Sequence, residues 1–484
     1  MAFPTYSSLR KQLDAGQITC LSLVEKHLLA IQEKNDALNV FLEVYSDEAL
    51  ARAKEIDAKI QAGSAGPLAG MVIGLKDVLA YEGHRLQAGS RILDGYISPF
   101  SATVVQRLLE ADAILIGRQN CDEFAMGSSN ENSAFGPTRN AADPTRVPGG
   151  SSGASAVAVQ AGMCQVSIGS DTGGSVRQPA AFCGVIGLKP TYGRVSRWGL
   201  VSYGSSFDCI GPIAHHLEDI AKVMEVIAGP DELDSTVSDK SVPAYSQYLD
   251  TPKTYRLAYF KEAMDSPGLA PEVKETMQRS IDQWREEGHT IEPVDFPLLS
   301  YLLPTYYILT TAEASSNLNR YDGIRYGHRT QQAESLEELY KLSRAEGFGK
   351  EVKKRIMLGT FVLSADYYDA YYTKAQQVRR LIQDHTARLL SDYDGILTPT
   401  TPTPAFPIGE KPTDPIQAYL EDIFTVQANV VGFPALSFPM GKTTEGLPLG
   451  CQLMVNAFEE TLLLTMSHQL SQSLHNRSKT SFVI

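Results

Sequence analysis

The sequence predicts an α/β fold built around a mixed or mostly parallel β-sheet. Between residues 72 and 171, helix-like and strand-like segments alternate, which is typical of such folds. Strand-like segments also occur on both sides of a long helical stretch in the second half of the chain. This second observation indicates one sheet interrupted by an insertion rather than two independent domains.

The chain begins with a segment, residues 5–62, that is predicted to form helices. Within it Leu21, Val24, Leu28 and Ile31 recur at the spacing of one helix face that packs against a core. The stretch MVIGLKDVLA then predicts a short buried strand, because it is an apolar run with β-branched residues. The alternating segments that follow are TVVQRLLEAD, AILIG, ASAVAVQAGM and CQVSIGSD.

Polar and acidic residues dominate 230–252, which predicts a surface loop. From about 270 to 390 the pattern is mainly helical. Strands are predicted again at DGILTP, PALSFP and GCQLMV, so the end of the chain is expected to return to the sheet.

The composition excludes some classes of protein. The 484 residues carry a net charge of −13, which disfavours direct binding to the phosphates of a nucleic acid. The six cysteines form no CxxC pair, which favours free thiols in a reducing compartment. With no run of 18 apolar residues and no signal-like apolar segment at the start, we expect a soluble cytoplasmic protein.

Two glycine- and serine-rich loops are candidates for chemistry: GGSSG at 149–153 and GSDTGGSVRQPA at 169–180. The second fits the start of a phosphate-binding loop but has Ser175 where that loop needs lysine, so this interpretation fails. The first matches GxSxG with Ser151 as nucleophile, but it lacks a preceding strand, and His215 and His216 are poor candidates for the base. A purely structural interpretation also stands, with glycines in turns and serines capping the helices that follow.

Lys76 interrupts an otherwise apolar strand, and a buried lysine needs a partner. One alternative is a salt bridge to an acid, for which neighbouring Asp77 is available. The other is a lysine buried among hydroxyls, whose lowered pKa would make it a neutral base able to activate a serine. The residues therefore permit a Ser–Lys hydrolase that uses no histidine.

Lys76, VPGGSSGAS and GSDTGGSVRQPA together resemble the amidase signature family, and the resemblance extends over nearly the whole chain. SSNENSAFGPTRN and SSNLNRYDG are more specific to a branch whose members supply ammonia within a tRNA-dependent amidotransferase. After residue 400 the match is looser, and Gln427 stands where the family more often has proline. The resemblance implies the amidase-signature fold, a central mixed sheet covered by helices on both faces with a helical insertion.

The resemblance also implies a single amidase domain over residues 1–484. Its expected parts are N-terminal helices at 1–65, the signature core at 66–228, a mainly helical insertion at about 260–390, and the return to the sheet at 391–484.

The site residues are carried over from the family motifs. The resemblance implies that Ser175 is the nucleophile, that Ser151 follows a cis peptide bond and relays protons, and that Lys76 is the base. The implied oxyanion hole consists of the backbone N–H groups of Thr172, Gly173, Gly174 and Ser175. The implied glutamine-binding groups are Arg355 for the α-carboxylate, Asp422 for the α-ammonium, Tyr306 and Ser128; no metal site is implied.

The partners are likewise implied by the resemblance. Glutamine is the expected substrate, and the B and C subunits of the amidotransferase are expected to complete a heterotrimer. ATP and Mg²⁺ would act in the B subunit, which would amidate Glu-tRNA(Gln) or Asp-tRNA(Asn) and carry most of the tRNA contact. This chain itself is expected to need no cofactor and no membrane. Two alternatives stay open: a stand-alone amidase for another amide, and a non-catalytic scaffold subunit.

Overall fold

The computed structural model describes residues 3–410 and 421–480 of the chain. In this part, eleven strands form one sheet with the order β1-β3-β2-β4-β6-β5-β10-β11-β9-β7-β8. The strands are β1 (Phe41–Val44), β2 (Val72–Lys76), β3 (Ile114–Gln119), β4 (Val166–Asp171), β5 (Ile186–Lys189), β6 (Cys209–Ala214), β7 (Arg256–Phe260), β8 (Thr290–Val294), β9 (Gly395–Pro399), β10 (Ala435–Lys442) and β11 (Pro448–Met454).

The helices of the described residues are α1 (Tyr6–Asp14), α2 (Cys20–Leu38), α3 (Ser46–Gln61), α4 (Thr103–Glu110), α5 (Gly153–Gln160), α6 (Arg177–Cys183), α7 (Leu217–Ile227), α8 (Lys261–Met264), α9 (Pro271–Glu286), α10 (Leu299–Asn317), α11 (Leu336–Gly347), α12 (Lys350–Val362), α13 (Lys374–Asp392), α14 (Val426–Val431) and α15 (Glu460–Thr480). A π-helical turn, Asp369–Thr373, leads into α13. None of the described helices is long and apolar enough to cross a membrane.

Parallel and antiparallel pairing both occur in the sheet, so the predicted mixed α/β fold is confirmed. Strand β2 runs parallel to β3 and β4, and β7 runs parallel to β8 and β9. The other neighbours pair antiparallel. The strands predicted at DGILTP, PALSFP and GCQLMV are β9, β10 and β11, and they join the same sheet as β2 and β4.

Helices cover both faces of the sheet. In strands β2 and β3, alternating side chains enter two different hydrophobic cores. In β2, Ile73 and Leu75 enter one core while Val72 enters the other; in β3, Leu115 and Ile114 divide in the same way. Successive side chains of a strand point to opposite faces, so the two cores lie on opposite sides of the sheet. The smaller core is covered by α1, α2, α3 and α5.

The expectation that residues 5–62 are helical is wrong at Phe41–Val44, which forms β1. This short segment pairs antiparallel with β3 at the edge of the sheet. Asn39 ends α2 in the left-handed conformation (φ 52°), which turns the chain away from the helix axis and toward the sheet. The helical periodicity of α2 and α3 on either side masked the change.

The stretch from about 270 to 390, predicted to be mainly helical, also contains the strand β8 (Thr290–Val294). Residues 230–252 contain one short 3₁₀ turn, Tyr245–Gln247, and otherwise no regular structure. Helices α10 to α13 then fill most of the chain between β8 and β9.

The sheet positions the candidate site through two neighbouring parallel strands. Leu75 of β2 pairs with Ile168 of β4, so both strands end at the same edge, β2 at Lys76 and β4 at Asp171. In open α/β sheets this carboxyl edge is where ligands bind. The loop after β4 carries the glycine-rich stretch 172–176 directly into α6.

Candidate active site

Lys76 lies at the end of β2 with its ammonium fully buried among hydroxyl groups. Its Nζ donates to Ser151 Oγ at 2.7 Å and to Ser170 Oγ at 2.9 Å. Burial lowers the pKa of Lys76 to about 8, because water no longer solvates the charged form. Near neutral pH a much larger fraction of this lysine than of an exposed one is therefore uncharged and able to accept a proton.

Asp77 does not pair with Lys76, so the salt-bridge alternative is wrong. The Asp77 carboxylate accepts the backbone N–H groups of Gln87 and Gly89, and the Arg118 guanidinium lies 3.5 Å away. Successive side chains of a strand point to opposite faces, which carries Asp77 away from the Lys76 ammonium. Among the described residues no carboxylate forms an ion pair with Lys76.

Ser151 is held in a loop whose backbone is fixed on both sides. The Gly150–Ser151 peptide bond is cis, and the Gly150 N–H donates to Gln178 Oε1 at 2.8 Å. The Ser152 N–H donates to the carbonyl oxygen of Ser175 at 3.0 Å, which joins the two glycine-rich loops. A Cβ on Gly150 would lie 2.1 Å from Asp122 Oδ2, so only glycine fits there.

Ser175 lies between β4 and α6 and is the most accessible of the three catalytic candidates. It is 8% exposed, whereas Lys76 and Ser151 are fully buried. Within residues 3–410 and 421–480 the Ser175 hydroxyl has no hydrogen-bond partner. Of the three candidates, Ser175 is therefore the one that a substrate entering from the surface can reach most easily.

The interpretation of these serines as helix caps is wrong. The residues that precede α5 and α6 are Ser152 and Val176, and neither makes a side-chain cap hydrogen bond. The Ser152 hydroxyl instead donates to the carbonyl oxygen of Ser170 at 3.1 Å. The Ser152 side chain thus stabilises the loop before α5 against β4 and does not cap α5.

The loop at 172–175 contains the backbone N–H groups expected to form the oxyanion hole, and one of them already has a partner within the chain. The Gly174 N–H donates to Asp171 Oδ1 at 2.9 Å, because the chain turns back over the end of β4. It is therefore committed in this structure and unavailable to a substrate oxygen. The N–H groups of Thr172, Gly173 and Ser175 find no acceptor among the described residues.

Both glycines of this loop are required by close contacts. A Cβ on Gly173 would lie 2.5 Å from the Tyr306 ring, and one on Gly174 would lie 2.3 Å from Thr425 Oγ1. Gly174 also adopts a φ of 131°, which side chains other than glycine rarely allow. The loop is thus packed directly against two segments from the second half of the chain.

Asp171 anchors the loop through a buried ion pair. Arg177 donates to both Asp171 carboxylate oxygens, at 3.0 and 2.9 Å, and also to Asn429 Oδ1 at 2.7 Å. Burial alone would raise the pKa of the Asp171 carboxyl, but the Arg177 guanidinium outweighs it and lowers the pKa to about 2. Asp171 is therefore ionised at any pH near neutrality.

The residues carried over as glutamine-binding groups come together beside this loop. Tyr306 on α10 packs against Gly173, and Thr425 Oγ1, three residues after Asp422, donates to the Gly173 carbonyl at 2.7 Å. Arg355 on α12 and Asp422 are both buried, at 6% and 8% exposure. A buried cation and a buried carboxylate are thus contributed by the same part of the chain that packs against Gly173.

Asp422 has two hydroxyl donors, Ser128 Oγ at 2.8 Å and Tyr307 OH at 3.1 Å, both on Oδ2. Burial raises the pKa of the Asp422 carboxyl to about 6, and these hydrogen bonds limit the rise. The carboxylate is therefore ionised near neutral pH and can attract an ammonium group.

The two histidines considered as bases lie elsewhere. Strand β6 runs antiparallel to β4 and pairs Ala214 with Val166, so His215 lies at the opposite edge of the sheet from Ser175. The His215 ring contacts the carbonyl oxygen of Val159, and His216 contacts that of Phe3. Burial lowers the pKa of His215 to about 4. A Ser–His arrangement is therefore excluded here.

Metal ligands do not cluster in the described part of the chain. Within residues 3–410 and 421–480, no three His, Cys, Asp or Glu side chains come together in a way that could hold a metal ion. Gln427, the departure from the family pattern, donates to Thr386 Oγ1 at 2.9 Å and links α14 to α13. It does not contact the site residues named above.

Sequence reasoning missed three residues that contact the candidates. Ser170 accepts a hydrogen bond from Lys76, Tyr307 donates to Asp422, and Tyr203 accepts one from Arg355. Ser170 lies inside the second glycine-rich motif and Tyr307 follows Tyr306, so the motifs themselves carried a signal for both. Nothing in the local sequence of Tyr203 signals its contact.

Comparisons with known proteins show the family to which the chain belongs. A model of the amidase family matches residues 22–464. Over 472 residues the chain is 49% identical to the A subunit of glutamyl-tRNA(Gln) amidotransferase from Koribacter versatilis, covering 97% of this chain and 98% of that protein.

Two solved structures are similar throughout. The A subunit of glutamyl-tRNA(Gln) amidotransferase from Thermotoga maritima has a TM-score of 0.77 and 40% identity, covering 92% of this chain and 90% of that one. Peptide amidase from Stenotrophomonas maltophilia has a TM-score of 0.82 and 30% identity, covering 98% and 97%. The chain therefore belongs to the amidase family, within the group formed by these amidotransferase subunits.

Proposed function

We propose that this chain is the glutaminase subunit of a tRNA-dependent amidotransferase. It hydrolyses the side-chain amide of glutamine at Ser175 and supplies the ammonia to a partner protein. The observation that carries the proposal is the buried Lys76 ammonium bonded to Ser151, in a loop that a backbone hydrogen bond joins to Ser175, the most exposed of the three candidates. The 49% identity to the corresponding subunit from Koribacter versatilis, over nearly the full length of both chains, supports the same function.

The proposed reaction begins with Lys76 in its neutral form. Its Nζ takes the proton of the Ser151 hydroxyl while Ser151 Oγ takes the proton of Ser175, and Ser175 Oγ attacks the amide carbon of glutamine. The negative charge that develops on the amide oxygen is stabilised by the N–H groups of Thr172, Gly173 and Ser175. A proton returned along the same relay lets the nitrogen leave as ammonia, and water then cleaves the glutamyl ester.

The substrate is oriented by its charged end. Arg355 is suited to bind the α-carboxylate through paired N–H donors, and Asp422 to bind the α-ammonium. Ser128 and Tyr306 complete the proposed pocket, Ser128 by holding Asp422 and Tyr306 by packing against Gly173. These contacts favour glutamine over amides that lack a free amino-acid end.

The ammonia is used outside this chain. In the proposed heterotrimer, the B subunit binds ATP and Mg²⁺, activates the glutamate of Glu-tRNA(Gln) and accepts the ammonia, while the C subunit joins the two. Aspartate on Asp-tRNA(Asn) offers the same chemistry to the B subunit. The charge of −13 on this chain supports tRNA contact mainly through the partner.

The test follows ammonia release from glutamine by the full chain, alone and with the B and C subunits, ATP, Mg²⁺ and each misacylated tRNA. Ammonia release and amidated tRNA are expected from the wild type, and both are expected to disappear in Ser175→Ala. Ser391→Ala, an exposed serine on α13, is the matched control and is expected to keep full activity. Glutamine turnover by Ser175→Ala, or turnover only of another amide by the wild type, would refute the proposal.

A further inference from the structure

Two tyrosines outside the carried-over set hold the charged residues of the site. Tyr203 OH accepts a hydrogen bond from Arg355 Nη1 at 2.7 Å, and Tyr307 OH donates one to Asp422 Oδ2 at 3.1 Å. Both rings also lie within cation–π distance of the Arg355 guanidinium, whose Cζ is 5.5 and 5.4 Å from their centroids. Tyr307 therefore contacts the buried cation and the buried anion at once.

The Arg355 side chain is fixed at both ends of its guanidinium. Its Nε donates to Glu351 Oε1, one turn earlier on α12, at 2.9 Å. Its Nη1 donates to Tyr203 OH, which in turn donates to Thr310 Oγ1 on α10 at 3.1 Å. These bonds leave the two N–H groups of Nη2 and the second N–H of Nη1 for a ligand, so the direction in which the arginine can bind a carboxylate is set by Tyr203 and Glu351.

Asp422 is fixed in a similar way. Both of its hydroxyl donors, Ser128 and Tyr307, reach the same oxygen, Oδ2. Within the described residues this leaves Oδ1 as the oxygen available to a cationic ligand.

Tyr203 is also joined to the loop beside the nucleophile. Its backbone N–H donates to Asp208 Oδ2 at 3.0 Å, and Asp208 Oδ1 accepts the Thr172 hydroxyl at 2.6 Å. The same buried tyrosine, 1% exposed, thus connects the arginine to the proposed oxyanion-binding segment.

From these contacts we infer that Tyr203 and Tyr307 are positioning residues that make the site selective for an amide whose other end is a free α-amino acid. Tyr203 aims Arg355 at the carboxylate, Tyr307 aims Asp422 at the ammonium, and their rings fix the spacing between the two. This inference rests on the proposed function.

The test uses Tyr203→Phe and Tyr307→Phe, which remove a hydroxyl and keep the ring. Three substrates are compared with the full chain assembled with the B and C subunits. They are L-glutamine, glutaramic acid, which lacks the ammonium, and 4-aminobutanamide, which lacks the carboxylate. An analogue that turns over too slowly is measured as a competitive inhibitor of glutamine hydrolysis.

Each variant is expected to affect only the substrates that carry the group it serves. Tyr203→Phe should raise KM about tenfold for glutamine and glutaramic acid and leave 4-aminobutanamide unchanged, because a hydrogen bond to a charged group is lost. Tyr307→Phe should raise KM for glutamine and 4-aminobutanamide and leave glutaramic acid unchanged. In both variants, kcat should change less than KM for the substrates that are affected.

Tyr192→Phe is the matched control, because its hydroxyl donates to the backbone carbonyl of Ser205 and contacts neither Arg355 nor Asp422. It should behave as wild type with all three substrates. Equal effects of Tyr203→Phe and Tyr307→Phe on all three substrates, or no effect, would overturn the inference while leaving glutamine hydrolysis in place. A wild type that does not favour glutamine over both analogues would overturn the proposed function and the inference with it.

Discussion

The protonation of Lys76 is governed by its surroundings, which are two serine hydroxyls and a carbonyl oxygen rather than a carboxylate. Burial favours the neutral amine and outweighs the opposing effect of the more distant carboxylates of Asp122, Asp171 and Asp208. The neutral amine is the form that the proposed relay needs. Lys76 is thus suited to act as a base, because its amine contacts hydroxyl and carbonyl oxygens and no carboxylate.

The rate of ammonia release is expected to rise with pH through about 8. The pKa of Lys76 is lowered from its ordinary value to about 8, so the fraction in the basic, neutral form increases between about pH 7 and 9 and then levels off. The measurement is kcat/KM for glutamine against pH. Lys76→Arg, which keeps its proton throughout this range, should be inactive; a wild-type profile that falls through pH 8 would contradict the assignment.

Substitution of Gly173 tests the packing of the loop at the scale of one methyl group. In Gly173→Ala the added Cβ would lie 2.5 Å from the Tyr306 ring and displace the N–H groups beside Ser175. We expect ammonia release to fall about 100-fold or more, comparable to the loss of an oxyanion donor. Gly268→Ala is the control, since its nearest neighbour is 4.0 Å away and its backbone is unstrained. Equal activity of the two variants would show that the loop tolerates the displacement.

At the scale of elements, Arg177 joins four parts of the fold. It lies at the start of α6 and contacts Asp171 at the end of β4, Asn429 in α14 and Gln452 in β11. Because all of these groups are buried, the arginine satisfies polar atoms that water cannot reach. The loop at 172–176, which contains Ser175, is therefore held by elements from both halves of the chain.

Removal of the Arg177 cation is expected to destabilise the fold strongly. Arg177→Met should lower the free energy of unfolding by about 3–5 kcal/mol, because Asp171 is left as an unpaired buried charge. Urea unfolding measures the change. The double variant Asp171→Asn, Arg177→Met should recover part of it, whereas a double variant less stable than Arg177→Met would show that the charge is not the cause.

Much of the element order followed from the sequence, but contacts between elements did not. Lys76 was conspicuous because a charge interrupts an apolar strand, and β2 and β4 were predictable from their composition. The short strand Phe41–Val44 was missed because its pairing with β3 depends on residues more than 70 positions away. The contact of Tyr203 with Arg355 spans 152 positions, and no local pattern encodes it.

The site shows the same limit. The roles of Ser151, Ser175 and the recognition residues stay predictions from the resemblance, which also implies Gly174 as an oxyanion donor. The turn of the Asp171 side chain onto that N–H is a local rearrangement that residue types alone do not reveal.

For the whole molecule, the net charge affects how strongly the chain can bind nucleic acid. It has 43 Lys and Arg against 56 Asp and Glu, which gives the net charge of −13. Repulsion from the phosphates opposes binding unless a basic surface compensates.

The chain alone is therefore expected to bind tRNA poorly. At about 0.15 M salt, we expect no saturable binding tighter than about 10 μM, in the range of non-specific contacts. Filter binding with labelled tRNA measures this, and the complex with the B and C subunits is the positive control. Sub-micromolar binding by the isolated chain would contradict the expectation.

The two groups of site residues come from different stretches of the chain. The proposed proton relay consists of Lys76 at the end of β2, Ser151 between β3 and α5, and Ser175 after β4. Tyr306, Arg355 and Asp422 are contributed after residue 298 by α10, α12 and the segment before α14. Apart from Ser128 and Tyr203, the residues proposed to select the amide lie in the later stretch, so a change of preferred amide can be inherited through mutations that never touch the proposed nucleophile. Directed evolution toward a new substrate should therefore vary the later stretch and keep the earlier one fixed. The capacity to cleave amides and the choice of amide can then evolve separately.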